Sequence, residues 1–125
     1  MKSTGILVFY NTWSVLYCDE GIRAYYANLL ERKLWIKIMP PKWGAHVSVI
    51  RGEPVEDQYK KNWKKYDGKR VEFEYSNIIK EGTGGNGYYY YWLPITCDFL
   101  LDVRSQFGLA RESITLHMTL GCLTE

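Results

Sequence analysis

The chain contains two histidines, and both stand in the same four-residue setting. His46-Val47-Ser48-Val49 and His117-Met118-Thr119-Leu120 each read histidine, apolar, hydroxyl, apolar. With 46% hydrophobic residues and Ser plus Thr at 13 of 125 positions, both histidines would match by chance roughly five times in ten thousand. Strand patterning raises those odds, but even a tenfold rise leaves accident a weak explanation. Residues two apart in a strand share a face. His46 and Ser48 would therefore look the same way, as would His117 and Thr119, while Val47, Val49, Met118 and Leu120 anchor the strands in the core.

Two such strands side by side would gather two imidazoles and two hydroxyls around one pocket. That set suits phosphoryl transfer. An imidazole titrates near neutrality, at about 6.5, so it can hold either protonation state there. One neutral ring can take a proton from an attacking water or ribose hydroxyl. The other, protonated, can give one to the leaving oxygen. Ser48 and Thr119 can donate hydrogen bonds to the non-bridging phosphate oxygens, where transition-state charge sits. This chemistry asks for no metal and no cofactor.

The elements that must position these groups can be read from periodicity. Gly5 to Tyr10 predicts a strand, bounded by Asn11-Thr12. A helix is expected over Asp19 to Lys33, with Asp19 as N-cap and Ile22, Tyr25 or Tyr26, Leu29 and Leu30 as its apolar stripe. Leu34 to Met39 alternates as a strand stopped by Pro40-Pro41, and Ala45 to Ile50 is the strand of the first motif. A short helix is expected in the Lys-rich stretch Val55 to Arg70. Val71 to Ile79 and Tyr88 to Leu93 read as strands joined by the Gly-rich hairpin connection Gly82 to Gly87. Pro94 opens a second helix over Ile95 to Phe107, stopped by Gly108, with Ile95, Phe99, Leu100 and Val103 buried. Ser113 to Leu120 is the strand of the second motif. The two histidines lie 71 positions apart, and the two helices are offset by nearly the same amount. This faint duplication predicts two pseudo-equivalent lobes facing each other across a cleft.

At 125 residues and 14.7 kDa the expectation is a single domain spanning residues 1–125. A net charge of +2 is too mild for a nucleic-acid coat or a membrane surface. Cys18, Cys97 and Cys122 are odd in number and widely spaced, which indicates neither a disulfide framework nor a zinc knuckle. With no signal peptide or membrane-length apolar run in view, a cytoplasmic protein with reduced thiols is expected. His117 and Cys122 could share a metal, but no HExxH or paired-cysteine pattern supports one. No GxSxG elbow is present. The Lys60-to-Arg70 cluster reads as a solvated surface. Lys42 and Arg51, which flank the first motif, are better candidates for phosphate contact. In the aromatic run, Tyr89 and Tyr91 share one strand face, and Tyr88, Tyr90 and Trp92 the other. One set should pack beneath a helix. Tyr89 and Tyr91 are taken as candidate base contacts, together with Tyr10 and Trp43.

Paired H-h-[ST]-h motifs in the middle and at the end of a small α+β chain resemble the 2H phosphoesterase superfamily. Its members include RNA ligase/cyclic phosphodiesterase-like enzymes, the exonuclease of U6 maturation and phage nucleases that destroy cyclic-nucleotide alarm signals. The resemblance covers essentially the whole chain, with Ser48 where Thr is commoner. It implies a bilobal α+β fold of pseudo-duplicated strand–helix–strand units, with antiparallel sheets around a central cleft. It also implies catalytic His46 and His117, and phosphate-binding Ser48 and Thr119. The expected activity is metal-independent cleavage of a phosphodiester in a cyclic nucleotide, a cyclic oligonucleotide signal (as in phage anti-defence) or an RNA end. Such substrates would be its partners, with the protein a monomer or weak oligomer, away from membranes. The alternative is a non-catalytic module that binds single-stranded nucleic acid or nucleotides through its aromatics.

Overall fold

The computed structural model describes residues 1–123. The first strand, β1 (Lys2–Phe9), alternates cleanly and buries Gly5, Leu7 and Phe9. It turns at Asn11-Thr12, where the Tyr10 amide donates to the Trp13 carbonyl at 2.8 Å, into β2 (Trp13–Cys18). Helix α1 (Glu20–Leu34) follows, capped by the Asp19 carboxylate, which accepts from the Gly21 amide. After β3 (Ile38–Met39) and β4 (His46–Arg51) comes the one-turn helix α2 (Asp57–Lys60). The second half holds β5 (Arg70–Tyr75), β6 (Lys80–Thr83), β7 (Tyr89–Thr96), α3 (Asp98–Gln106) and β8 (His117–Leu123).

All strand pairs are antiparallel, in the order β3-β8-β4-β2-β1-β5-β7-β6, and β8 also pairs with β7. Six strands therefore close a ring, β8-β4-β2-β1-β5-β7, and the chain is α+β: a closed antiparallel barrel with three helices. Two apolar clusters stabilise it. One joins Leu7, Leu16, Val47, Phe73 and Met118 to Leu100 and Val103 of α3. The other joins Tyr91, Leu93 and Leu120 to Tyr26 and Leu30 of α1. Each buried aliphatic side chain contributes roughly 1.5–3 kcal/mol by leaving water. Among the described residues no helix is long and apolar enough to cross a membrane.

Several expected boundaries move. Strand β2 went unread because it carries a bulge between Ser14 and Val15 and buries Ser14, Val15 and Leu16 in succession. That breaks the two-residue period on which strand reading depends. Leu34 belongs to α1, and Trp35 ends the helix in the left-handed conformation (φ 57°), so the strand expected at Leu34 is only Ile38–Met39. Tyr25 and Leu29 are exposed, leaving Tyr26, Ala27 and Leu30 as the buried stripe. Pro94 does not open a helix. It lies within β7 with its ring on the outer face, while Leu93 and Ile95 point inward, and α3 starts three residues after Ile95. The strand expected over Val71 to Ile79 stops at Tyr75, where the Ser76 hydroxyl accepts from the Ile78 amide and turns the chain. The last strand starts at His117 instead of Ser113. The Gly-rich connection is a hairpin loop, closed by the Gly84 amide donating to the Tyr88 carbonyl, but it joins β7 to the separate short strand β6 (Lys80–Thr83) and not to the strand expected over Val71 to Ile79.

Candidate active site

The two histidine strands are neighbours in the barrel. Val47 pairs with Met118 in antiparallel register. One step along each strand, that register sets His46 opposite Thr119 and Ser48 opposite His117. Residues directly opposite in an antiparallel pair have β-carbons about 4.5–5.5 Å apart. Val47, Val49, Met118 and Leu120 are fully buried, whereas His46, Ser48, His117 and Thr119 are all half-buried on the other face. Continued one step each way, the single Val47–Met118 pair would put each imidazole beside the hydroxyl of the opposite motif, a crossed arrangement that strand parity alone does not reveal.

Both rings are held alike. Nδ1 of His46 lies 2.8 Å from the Gly44 carbonyl, and Nδ1 of His117 lies 2.9 Å from the Thr115 carbonyl, each two residues back. A carbonyl oxygen only accepts, so Nδ1 carries a proton in both rings. Nε2 is then the nitrogen left to take up or release a proton, and among the described residues it has no hydrogen-bond partner. Fixing the ring and tautomer through the second nitrogen is the usual way to ready a histidine for proton transfer.

Each histidine also has a tryptophan. The Trp43 ring is centred 5.9 Å from that of His46, and Trp92 6.2 Å from His117. Tyr10 lies 6.4 Å from Trp43 and shares a 2.6 Å hydroxyl–hydroxyl hydrogen bond with Tyr17, which pairs with His46 across β2 and β4. Burial, then this bond, pushes the Tyr17 phenol up to about 12, so Tyr17 remains a neutral hydrogen-bonding group at physiological pH. Lys42 lines a pocket with His46, and Arg51 lines a larger cleft with His117. The Lys60-to-Arg70 cluster lines neither.

Two expected contacts are corrected. Tyr91 is only 5% exposed and packs under α1, and Tyr89 packs against the same cluster, 5.6 Å from Tyr91. Neither lines the cleft; Tyr90 and Trp92 do. Leu93 and Ile95 must face the core for want of any polar group, and Tyr91 shares their parity. That parity leaves Tyr90 and Trp92 on the opposite face, where they line the larger pocket.

Two charged clamps, absent from the sequence reading, fasten the ends of the motif strands. On α1, Glu20 accepts from the Ala45 amide at 2.8 Å and from Arg23, whose guanidinium also donates to the Leu120 carbonyl at 2.9 Å. On α3, the fully buried Arg104 donates to the Val49 carbonyl at 2.8 Å, to both carboxylate oxygens of Glu53, and to the Ser113 hydroxyl. The Arg104 hydrogen bonds hold the Glu53 carboxyl below the usual carboxylate range, and those from Arg23 do the same for Glu20. A lowered carboxyl pKa stabilises the fold fully above the unfolded value of about 4.3 and loses that contribution as pH falls through the folded value. Urea midpoints should therefore stay level from neutrality down to about pH 5 and fall below it. The acid fall should be shallower in Glu53→Gln. An equal fall would mean that Glu53 is not a source of the acid sensitivity.

Among the described residues no three His, Cys, Asp or Glu side chains gather closely enough to hold a metal ion. The described cysteines are free, and burial pushes the Cys18 thiol up to about 12. Comparisons with protein-family models, curated proteins and solved structures found no match.

Proposed function

We propose that the chain is a metal-independent phosphodiesterase of the 2H type, working by two-histidine acid–base catalysis. The observation that carries this reading is the Val47–Met118 register. It lines up two tautomer-fixed imidazoles and two hydroxyls on one half-exposed face. A phosphate seated between them receives hydrogen bonds from Ser48 and Thr119 on its non-bridging oxygens. The neutral ring takes the proton of the attacking hydroxyl as its oxygen bonds to phosphorus. The protonated ring gives its proton to the departing oxygen as the old P–O bond breaks. The rings exchange protonation states, and the reverse transfers, or a second pass with water, reset them.

The two strand–helix–strand units, β2–α1–β4 and β7–α3–β8, meet at the β4–β8 pair. This supports a two-lobed arrangement in which each lobe supplies one histidine to a central cleft. The reading fits a small cytoplasmic enzyme acting on a cyclic nucleotide, a cyclic oligonucleotide signal (an anti-defence target) or an RNA end. The test is a panel of cyclic mono-, di- and trinucleotides and RNA ends, incubated in excess chelator and resolved by chromatography. Cleavage of at least one, undiminished by chelator and abolished by alanine at either histidine, is the expected result. Binding without turnover across the panel would favour the nucleotide-binding module instead.

A further inference from the structure

Each histidine lines a pocket of its own. On the His117 side it is a space of about 1010 Å³, with Trp92, Tyr90 and Arg51 in its wall. On the His46 side it is a pocket of about 540 Å³, with Tyr88, Tyr90 and Lys42 in its wall. Tyr90 and Thr119 belong to both spaces. The two therefore adjoin at Tyr90 and Thr119. The smaller space lies within the range of typical small-molecule sites, roughly 300–1,000 Å³, and the larger is at its upper end. Each offers an aromatic surface and one lysine or arginine; in the larger space Arg51 stands with Glu53, whose carboxylate is already paired with Arg104.

We propose that the substrate is an internal phosphodiester with a nucleoside on each side of the scissile phosphate, as in a linear or cyclic oligonucleotide, and not a 2′,3′-cyclic mononucleotide. The proposal rests on the phosphodiesterase reading and narrows it. A cyclic mononucleotide carries its one base and sugar on a single side of the phosphate. With its phosphate between His46 and His117, it fills one space and leaves the other to water. A phosphodiester flanked by two nucleosides fills both. One base then lies against Trp92 beyond His117, and the other against Tyr88 beyond His46, while Arg51 and Lys42 face the anionic backbone on the two sides. Binding energy from both remote groups becomes available to hold the phosphate in line with the two imidazoles.

The experiment compares kcat/KM for a linear diadenosine monophosphate, cyclic di-AMP and 2′,3′-cyclic AMP, in the wild type and in Trp92→Ala and Tyr88→Ala. The better of the two-nucleoside substrates should exceed the cyclic mononucleotide by at least about fivefold, since a stacked base contributes about five- to a hundred-and-fiftyfold. Which of the two is better distinguishes a linear from a cyclic source. Each aromatic variant should lower turnover of that substrate about tenfold, chiefly through KM, and no more than one of them should affect the mononucleotide. Trp92→Phe, which keeps a stacking face, should recover most of the loss, which separates lost stacking from misfolding. Equal or better turnover of 2′,3′-cyclic AMP, or aromatic variants within threefold of wild type on every substrate, would overturn the two-sided assignment and leave the phosphodiesterase reading standing. Cleavage of none of the three, nor of any member of the wider panel, would remove both.

Discussion

His117→Ala is expected to lose about three orders of magnitude in kcat/KM on any substrate the wild type cleaves, with ligand affinity changed by less than about threefold. The size follows from the role, since a positioned acid or base supplies roughly 10²–10⁴ in rate. His46→Ala should lose a similar amount. The double variant should be little worse than either single one, because groups that act on one proton-transfer sequence are not additive. Both rings are half-buried, and among the described residues their only hydrogen bonds run to the carbonyls of Gly44 and Thr115, two positions back. Truncation therefore leaves no buried group unpaired, and thermal midpoints should stay within a few degrees of wild type. Thr119→Val, which keeps the shape and removes the donor, should cost about a hundredfold. Activity within tenfold of wild type in either histidine variant, measured on protein with unchanged circular dichroism, would end the acid–base reading.

What the sequence shows of this site, and what it hides, divides along one physical line. Local features were legible. The Asp19 cap, the Gly-rich hairpin and the inward–outward parity of both motifs rest on residues within a few positions of one another, where propensity and period act directly. Features set by distant partners were not. Nothing near His46 states that β4 pairs with β8 through Val47 and Met118, so the crossed placement of each imidazole beside the other motif's hydroxyl emerges only from the closed barrel. β2 lost its period to a bulge that lets it follow the barrel's curvature. Pro94, read locally as a helix opener, is tolerated in β7 because Leu93 and Ile95 are both needed in the core. Arg104 reads as the solvated last turn of an amphipathic helix, yet it is fully buried. Its partners, Val49, Glu53, Ala110 and Ser113, come from two other parts of the chain.

Arg104→Met is expected to destabilise the fold by about 3–5 kcal/mol, the usual cost of removing one partner from a buried ion pair. Arg104 donates through every nitrogen: Nε to the Ala110 carbonyl at 3.1 Å, one terminal nitrogen to Val49 and Glu53, the other to Glu53 and Ser113. Methionine fills much of the volume but removes a donor from two carbonyls, a hydroxyl and a carboxylate; the Ala110 carbonyl keeps the Ser113 hydroxyl at 3.0 Å and Glu53 keeps the Arg51 amide at 3.1 Å. Adding Glu53→Gln removes the unpaired charge and should recover part of the loss, while the Val49 carbonyl still lacks the Arg104 donor. Arg104→Lys should recover little, because an ammonium on one stem cannot span the fork of acceptors that a guanidinium meets. The consequence reaches the chemistry through a short path. Ser113 is two residues from Thr115, whose carbonyl fixes the His117 ring, and Val49 follows Ser48 directly. A folded Arg104→Lys protein should therefore lose kcat more than it gains KM, since what slips is the aim of a catalytic ring and not the contact with substrate. A urea midpoint equal to wild type in Arg104→Met would show that the clamp does not hold the motif strands, and the path from α3 to His117 would have to be abandoned with it.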